Sequence, residues 1–377
     1  MIPKKKIVFL TGTRADYGKI KSLISSVQNS PLYTPIIIAT GMHIIKKYGY
    51  TYEEILKDFN GIKLYKFRND TVKNNTMDLI VSKTIIQLNK IIKKIKPDLF
   101  VIHGDRCETL AAAISCNFNN VLLAHVEGGE VSGTVDESIR HACTKFSHIH
   151  FVSNSKAKKI LIRLGENTKN IHVIGSPEVD TMLKKDLPSI DEVKKRYNIK
   201  FKNYATLLFH PVTTLSKSQI IFQCKQLFKA ITISKKNFII IYPNNDNHTE
   251  IIMSFINSLK KNDRFKILPS LRFEYYLSLL KNSDFIIGNS SSGVREASVY
   301  GTKSINLGDR QKNRADQLQN VYNLSFNKKK IVSQINKINS LKKKISFNFG
   351  RGNSSVKFMD ILLKKNFWNT SKQKYLI

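Results

Sequence analysis

The chain lacks any run of 18 or more apolar residues, the length a bilayer-spanning helix needs, so no membrane span is expected. A secretory leader is not expected either. The opening MIPKKKIVFL is basic and then apolar, but the apolar run stops after Leu10 in a Gly/Arg/Asp turn, with no small-residue cleavage site beyond it. A cytoplasmic location is therefore expected. Cysteine is scarce. Cys107, Cys116, Cys143 and Cys224 form no CxxC pair, which argues against a disulfide framework or a structural zinc site. Acidic residues are outnumbered by basic ones, 28 to 62, for a net charge of +34. Such a balance raises nucleic acid as a partner. No basic stripe interleaved with aromatics and no DNA-binding motif accompanies it, however. Lysines are scattered, as in IIKKIK (91–96) and LKKKIS (341–346), and Asn, Ile and Lys are abundant throughout. That spread reads as coding bias, so no nucleic-acid partner is expected; the charge would at most draw in a polyanionic substrate or a membrane surface.

What the chain has is a regular alternation. Short apolar runs, at 7–10, 35–39, 99–103, 121–126, 148–153, 171–175, 205–210, 238–243, 285–289 and 304–308, are separated by helical patterns such as 17–28 and 108–116. Continuous apolar strands joined by helices imply parallel sheets covered on both faces. The runs fall into two sets, with a break after GSPEVDTML (175–183). The expected fold class is α/β, two Rossmann-like domains facing a cleft: 1–183, then 184–353 opening with a linker and helix, then a closing helix in 354–377. A chain of 377 residues has length for two such domains. No internal repeat or low-complexity segment interrupts the pattern.

The densest chemistry lies in HVEGGEVSGTVDESIRH (125–141), where His125, Glu127, Glu130, Asp136, Glu137 and Arg140 surround three glycines. The block follows VLLA (121–124), so its carboxylates fall just past the carboxyl end of a buried strand, where open α/β sheets bind ligands. Two or more carboxylates tuned apart suit proton abstraction and return; a solvated acidic loop ahead of a helix is the plainer alternative.

Four further motifs sit at strand ends. TGTRADYGK (11–19) opens a helix whose N-terminal N–H groups, with Arg14 and Lys19, suit a phosphate. It is no GxGxxG, and no acidic residue completes a dinucleotide fingerprint, so bound NAD is not expected. HGDRCE (103–108) carries Asp105, either an N-cap or an acid or base at the edge that carries Glu127, followed by Arg106. FHPVTT (209–214) and YPNND (242–246) carry His210, a candidate phosphate contact or a structural histidine, and Asn244, a candidate base or ribose contact. GNSSSGVREA (288–297) carries Ser290 and Ser291 as a second phosphate cradle, and Glu296 as an acceptor for ribose hydroxyls. Arg310 follows in INLGDRQKNR (305–314).

Taken in order along nearly the whole chain, these motifs resemble the UDP-N-acetylglucosamine 2-epimerases, most closely the hydrolysing branch that supplies N-acetylmannosamine for sialic acid synthesis. The EGGE…GT-Asp-[Asp/Glu]-S-I-R-H block is the most specific of them. The resemblance implies the two-domain GT-B fold, with Asp105, Glu127 and Asp136 as catalytic carboxylates. Arg14, Lys19, Arg106, His210, Ser290, Ser291 and Arg310 would bind UDP, chiefly its diphosphate, with Asn244 near the uracil–ribose end and Glu296 on the ribose. It implies a UDP-sugar substrate, a homo-oligomer (dimer or tetramer), and no metal or redox cofactor. Gly18 stands where some relatives have serine and Glu137 where many have Asp; neither is a catalytic position. Within the branch, the alternative substrate is UDP-2,4-diacetamido-2,4,6-trideoxyglucose. Outside it stand a GT-B glycosyltransferase and a non-enzymatic nucleotide-sugar binder.

Overall fold

A computed structural model describes residues 3–70, 76–131, 135–244, 246–311 and 318–375. The chain divides into two compact units, the first made of 1–130, 136–183 and 348–377, the second of 131–135 and 184–347.

The first unit is built on seven strands: β1 (Lys5–Thr11), β2 (Tyr33–Ala39), β3 (Lys63–Lys66), β4 (Leu99–His103), β5 (Leu123–Val126), β6 (Ile149–Val152) and β7 (Ile171–Val173). Their order is β3-β2-β1-β4-β5-β6-β7 and every pairing is parallel. Alternate side chains enter separate cores. Ile7 and Phe9 of β1 join Leu99 and Val101 of β4 on one face, while Val8 and Leu10 join Phe100 and Ile102 on the other. A strand that is covered on both sides favours apolar residues at successive positions, which is why these runs are largely continuous.

The second unit has six parallel strands: β8 (Ala205–Leu208), β9 (Phe238–Ile241), β10 (Phe265–Leu268), β11 (Phe285–Gly288), β12 (Lys303–Leu307) and β13 (Val321–Leu324), in the order β10-β9-β8-β11-β12-β13. Each sheet reverses its strand order once, between β1 and β4 and between β8 and β11. Loops beyond the carboxyl ends at such a switch point form the ligand crevice of doubly wound folds.

All ten apolar runs contain strands. Three strands, β3, β10 and β13, escape a search for apolar runs, and all three lie at sheet edges. Covered on fewer sides, they tolerate polar residues, as in KLYK (63–66) and VYNL (321–324).

The chain returns to the first unit at Asn348. There the helix Ser354–Leu362 buries Phe358 against Phe151, with ring centroids 4.9 Å apart. Asp180 caps that helix, accepting from the N–H groups of Ser354 (2.8 Å) and Ser355 (2.7 Å). The approach requires Gly175, whose φ is +88° and where a Cβ would lie 3.2 Å from Gly350 Cα. No helix among the described residues is long and apolar enough to cross a membrane.

Candidate active site

At the end of β1 the chain turns into the helix Arg14–Gln28, and Asp16 governs the turn. Its carboxylate accepts from the N–H groups of Gly12 (3.0 Å) and Thr13 (2.9 Å) and from Thr11 Oγ1 (2.6 Å), while the Asp16 N–H donates to Thr13 Oγ1 (3.2 Å). This is a capping box. The expectation that this turn presents its amides to phosphate is therefore corrected for Gly12 and Thr13, because a carboxylate four or fewer residues away already takes both. Behind the turn, His43 is fully buried. Thr11 Oγ1 donates to Asp16, so it accepts from His43 Nε2–H (3.0 Å), which leaves His43 Nδ1 to accept from Thr51 Oγ1 (2.5 Å). Burial pushes the His43 pKa down to about 4, and both Arg14 and Arg106 add to that fall. The two arginines expected to bind anion thus converge on one region at the switch point. Each already meets a carboxylate: Arg14 is bidentate on Glu54, and Arg106 Nε lies 3.4 Å from Glu108 Oε2. Lys19, one turn further along its helix, lies 3.9 Å from buried Glu178.

The β4 end carries the next group. Asp105 does not cap the following helix, Cys107–Phe118, whose N-cap is Arg106. Instead the Asp105 carboxylate accepts from Arg140, which is buried and also donates to the Glu130 carbonyl (2.9 Å). Glu127, directly after β5, holds a left-handed φ of +69°, a conformation that costs a non-glycine residue about 1 kcal/mol or more. Its N–H is tied to the Phe151 carbonyl (3.0 Å). His103 Nε2 lies 3.3 Å from Glu127 Oε2, close though outside hydrogen-bond geometry. His125 ties this loop to the sheet. The Gly104 carbonyl can only accept, so His125 Nε2 carries the proton (2.8 Å) and Nδ1 accepts from Thr144 Oγ1 (3.2 Å). Complete burial pushes the pKa of His125 down to about 3. Glu130 receives Ser153 Oγ (2.9 Å). Asp136 stands half-buried in the first turn of the helix Val135–Phe146, which also carries Arg140. Residues 132–134 of this block lie outside the described residues.

In the second unit, His210 follows β8 and Asn289 follows β11. The His210 N–H donates to Asn289 Oδ1 (2.8 Å) and Asn289 Nδ2 donates to the His210 carbonyl (2.8 Å). The Asn244 N–H donates to His210 Nδ1 (3.1 Å), and Arg310 Nη1 donates to the Asn289 carbonyl (3.2 Å). Four segments expected to contact nucleotide therefore meet here. Ser290 and Ser291 lead into a short 3-10 turn, in which Ser290 Oγ accepts from the Ser292 N–H (3.3 Å). Glu296 is buried beyond it, and its Oε2 has no hydrogen-bond partner among the described residues. Tyr276, hydrogen-bonded to Ser292, has its pKa raised by burial and then by the Glu296 charge, which places the carboxylate nearby. Asn245 and 312–317, parts of two of these motifs, lie outside the described residues. Among the described residues, no cluster of three or more His, Cys, Asp or Glu side chains could hold a metal ion.

A family profile described as UDP-N-acetylglucosamine 2-epimerase matches residues 25–363. A UDP-N-acetylglucosamine 2-epimerase of Neisseria meningitidis serogroup B is 42% identical over 378 residues, 99% of each chain. The chain belongs to the UDP-N-acetylglucosamine 2-epimerase family. A second relative, the UDP-N,N'-diacetylbacillosamine 2-epimerase (hydrolyzing) of Legionella pneumophila, is 31% identical over 95% of each chain. The fold class is that of this family's solved structures, paired parallel-sheet units of the GT-B type. The crystal structure of Methanocaldococcus jannaschii UDP-GlcNAc 2-epimerase, in complex with UDP-GlcNAc and UDP, superposes with a TM-score of 0.82 at 23% identity, covering 95% of this chain and 99% of that one.

Several residues that hold these strand-end groups in place escape a motif search. Arg140 lies within the densest block, yet nothing local ties it to Asp105, 35 residues away. Asn289 sits inside a quoted motif, but its partner is 79 residues distant. His43 carries no sequence signal at all; only the fold brings it beneath the first turn. His103, one residue before the glycine of HGDR, reads from sequence as the last residue of a strand.

Proposed function

We propose that the chain is a hydrolysing UDP-N-acetylglucosamine 2-epimerase, converting UDP-N-acetylglucosamine and water to UDP and free N-acetylmannosamine, a step that feeds sialic acid and surface polysaccharide synthesis. The observation that carries the reading is the set of carboxylates at the carboxyl edge of the first sheet: Asp105 oriented by buried Arg140, Glu127 held in a strained backbone beside His103, and Asp136 at a helix start. Proton abstraction and return on opposite faces of one carbon needs two such groups.

A carboxylate removes the C2 proton while the C1–oxygen bond to UDP breaks. The C2–H electron pair becomes the C1–C2 double bond, and 2-acetamidoglucal and UDP result. Water then adds its hydroxyl at C1 and gives its other proton to a carboxylate, while a carboxylic acid delivers a proton to C2 from the other face. Asp105, Glu127 and Asp136 supply these roles. The departing diphosphate carries the developing charge, so Arg14, Lys19, Arg106, His210, Ser290, Ser291 and Arg310 are its stabilisers. Asn244 lies toward the uracil and ribose. The buried Glu296 oxygen, without a partner among the described residues, is an acceptor suited to ribose hydroxyls. No step calls on a metal or nicotinamide, so turnover is expected without either being added.

A second reading, hydrolysis of UDP-2,4-diacetamido-2,4,6-trideoxyglucose, is favoured by the 31% relative, a UDP-N,N'-diacetylbacillosamine 2-epimerase (hydrolyzing) by name; the 42% relative favours the N-acetylglucosamine substrate. NMR of UDP-N-acetylglucosamine with the purified protein in heavy water separates the possibilities. The expected products are UDP and N-acetylmannosamine carrying deuterium at C2. UDP-N-acetylmannosamine without free sugar would overturn the hydrolysing reaction, and protium retained at C2 would overturn the elimination. Turnover of the diacetamido sugar alone would transfer the assignment to the second reading.

A further inference from the structure

We infer that Asn289 is the positioning residue for His210, fixing both the backbone and the ring tautomer with which His210 meets its ligand. The inference rests on the reading of His210 as a diphosphate contact and extends it to a residue that touches no substrate.

β8 and β11 are paired up to Leu208 and Gly288, and the Asn289 N–H adds one more bond to the Leu208 carbonyl (3.2 Å). Beyond that point the two chains separate into their loops. The Asn289 side chain continues the ladder. Its amide oxygen accepts from the His210 N–H and its amide nitrogen donates to the His210 carbonyl, both at 2.8 Å. One side chain thus holds the main chain on both sides of the His210 Cα. Asn289 is 1% exposed, so water does not compete for these bonds. The close approach depends on Gly288, with φ +140°, where any Cβ would lie 1.8 Å from the Leu208 carbonyl oxygen.

Fixing the backbone fixes the ring. With His210 in place, the Asn244 N–H donates to Nδ1 (3.1 Å). A nitrogen that accepts a hydrogen bond carries no proton, so the neutral ring bears its hydrogen on Nε2. That tautomer presents a donor, which is what a phosphate oxygen requires. The main-chain carbonyl of Asn289 also accepts from Arg310 Nη1 (3.2 Å) and Gln311 Nε2 (3.1 Å). The amide side chain therefore governs His210, while the backbone of the same residue holds Arg310.

Two measurements on the full chain test this. Calorimetric titration of UDP is run on wild type, Asn289→Ala, His210→Ala and the double variant. Asn289→Ala is expected to weaken UDP about tenfold, and to add less than about twofold once His210 is gone, because residues acting through one contact are not additive. An undiminished effect in the His210→Ala background, or wild-type affinity in Asn289→Ala, would overturn the positioning role. The second measurement is the side-chain 15N spectrum of His210 without UDP. The Nε2–H tautomer is expected in wild type and a mixture in Asn289→Ala; an unchanged tautomer would overturn the inference even if His210→Ala left UDP affinity intact. That last result alone would instead remove His210 from the diphosphate site. Should Asn289→Ala not fold, Asn289→Asp keeps the shape and the acceptor but loses the donor, and is expected to show the same pattern; wild-type affinity and tautomer in it would overturn the claim.

Discussion

Acidification from about pH 7 to about pH 5 should destabilise the first unit by about 4 kcal/mol through two histidines alone. His43 and His125 are fully buried, and burial lowers their pKa from 6.5 to about 4 and about 3. Below pH 6.5 the unfolded chain takes up a proton at each residue while the folded pocket does not. The unfolded state then binds more protons, and stability falls as the pH falls. The contribution is complete above pH 6.5 and is lost down to about 4 for His43 and about 3 for His125. At about 1.36 kcal/mol per pH unit, about 1.5 units below the unfolded value costs about 2 kcal/mol per histidine. Urea unfolding followed by tryptophan fluorescence reads this directly. Trp368 is the single tryptophan; it packs against Tyr33, with centroids 5.8 Å apart, and donates to the Leu362 carbonyl (2.8 Å), within the first unit that holds both histidines. The His43→Gln/His125→Gln variant starts less stable, but its stability should fall less steeply with acid. That comparison separates the histidines from the repulsion of a chain at +34. Equal midpoints at the two pH values, or the same acid loss in the variant, would refute the reasoning.

Three further outcomes are expected. Asp105→Asn, Glu127→Gln and Asp136→Asn should each lower kcat by about 10²-fold, since proton transfer is lost; Glu127→Gln and Asp136→Asn should keep thermal midpoints near wild type, while Asp105→Asn should lower its midpoint because buried Arg140 loses that carboxylate, and steady-state kinetics with differential scanning fluorimetry checks both. Arg140→Lys should lower kcat by about tenfold, because a single ammonium does not reproduce the guanidinium that reaches both Asp105 and the Glu130 carbonyl; wild-type turnover would mean Asp105 needs no such support. Glu296→Ala and His210→Ala should each weaken UDP by about 1–3 kcal/mol in calorimetry, and unchanged affinity in Glu296→Ala would remove GNSSSGVREA from the nucleotide site.

The sequence by itself determined the class of fold and the chemical inventory. Strands such as 99–103 and 285–288 are apolar along their length up to the last residue because both faces are covered, and that pattern is local, so it can be read along the chain. The carboxylate block is local in the same way, because Glu127, Glu130 and Asp136 sit within one loop and helix start. Only the tertiary structure decided the partners. Asp16 takes the Gly12 and Thr13 amides that the turn would otherwise present. Asp105 finds Arg140, and Asn289 finds His210, across 35 and 79 residues. The helix Ser354–Leu362 is held to the first unit by Asp180, 174 residues earlier. The edge strands β3, β10 and β13 form because a neighbour offers a free row of backbone groups, not because their own residues demand it. Periodicity records which face of an element is buried; which distant groups meet depends on strand order and side-chain reach, and neither is written in any short stretch of sequence.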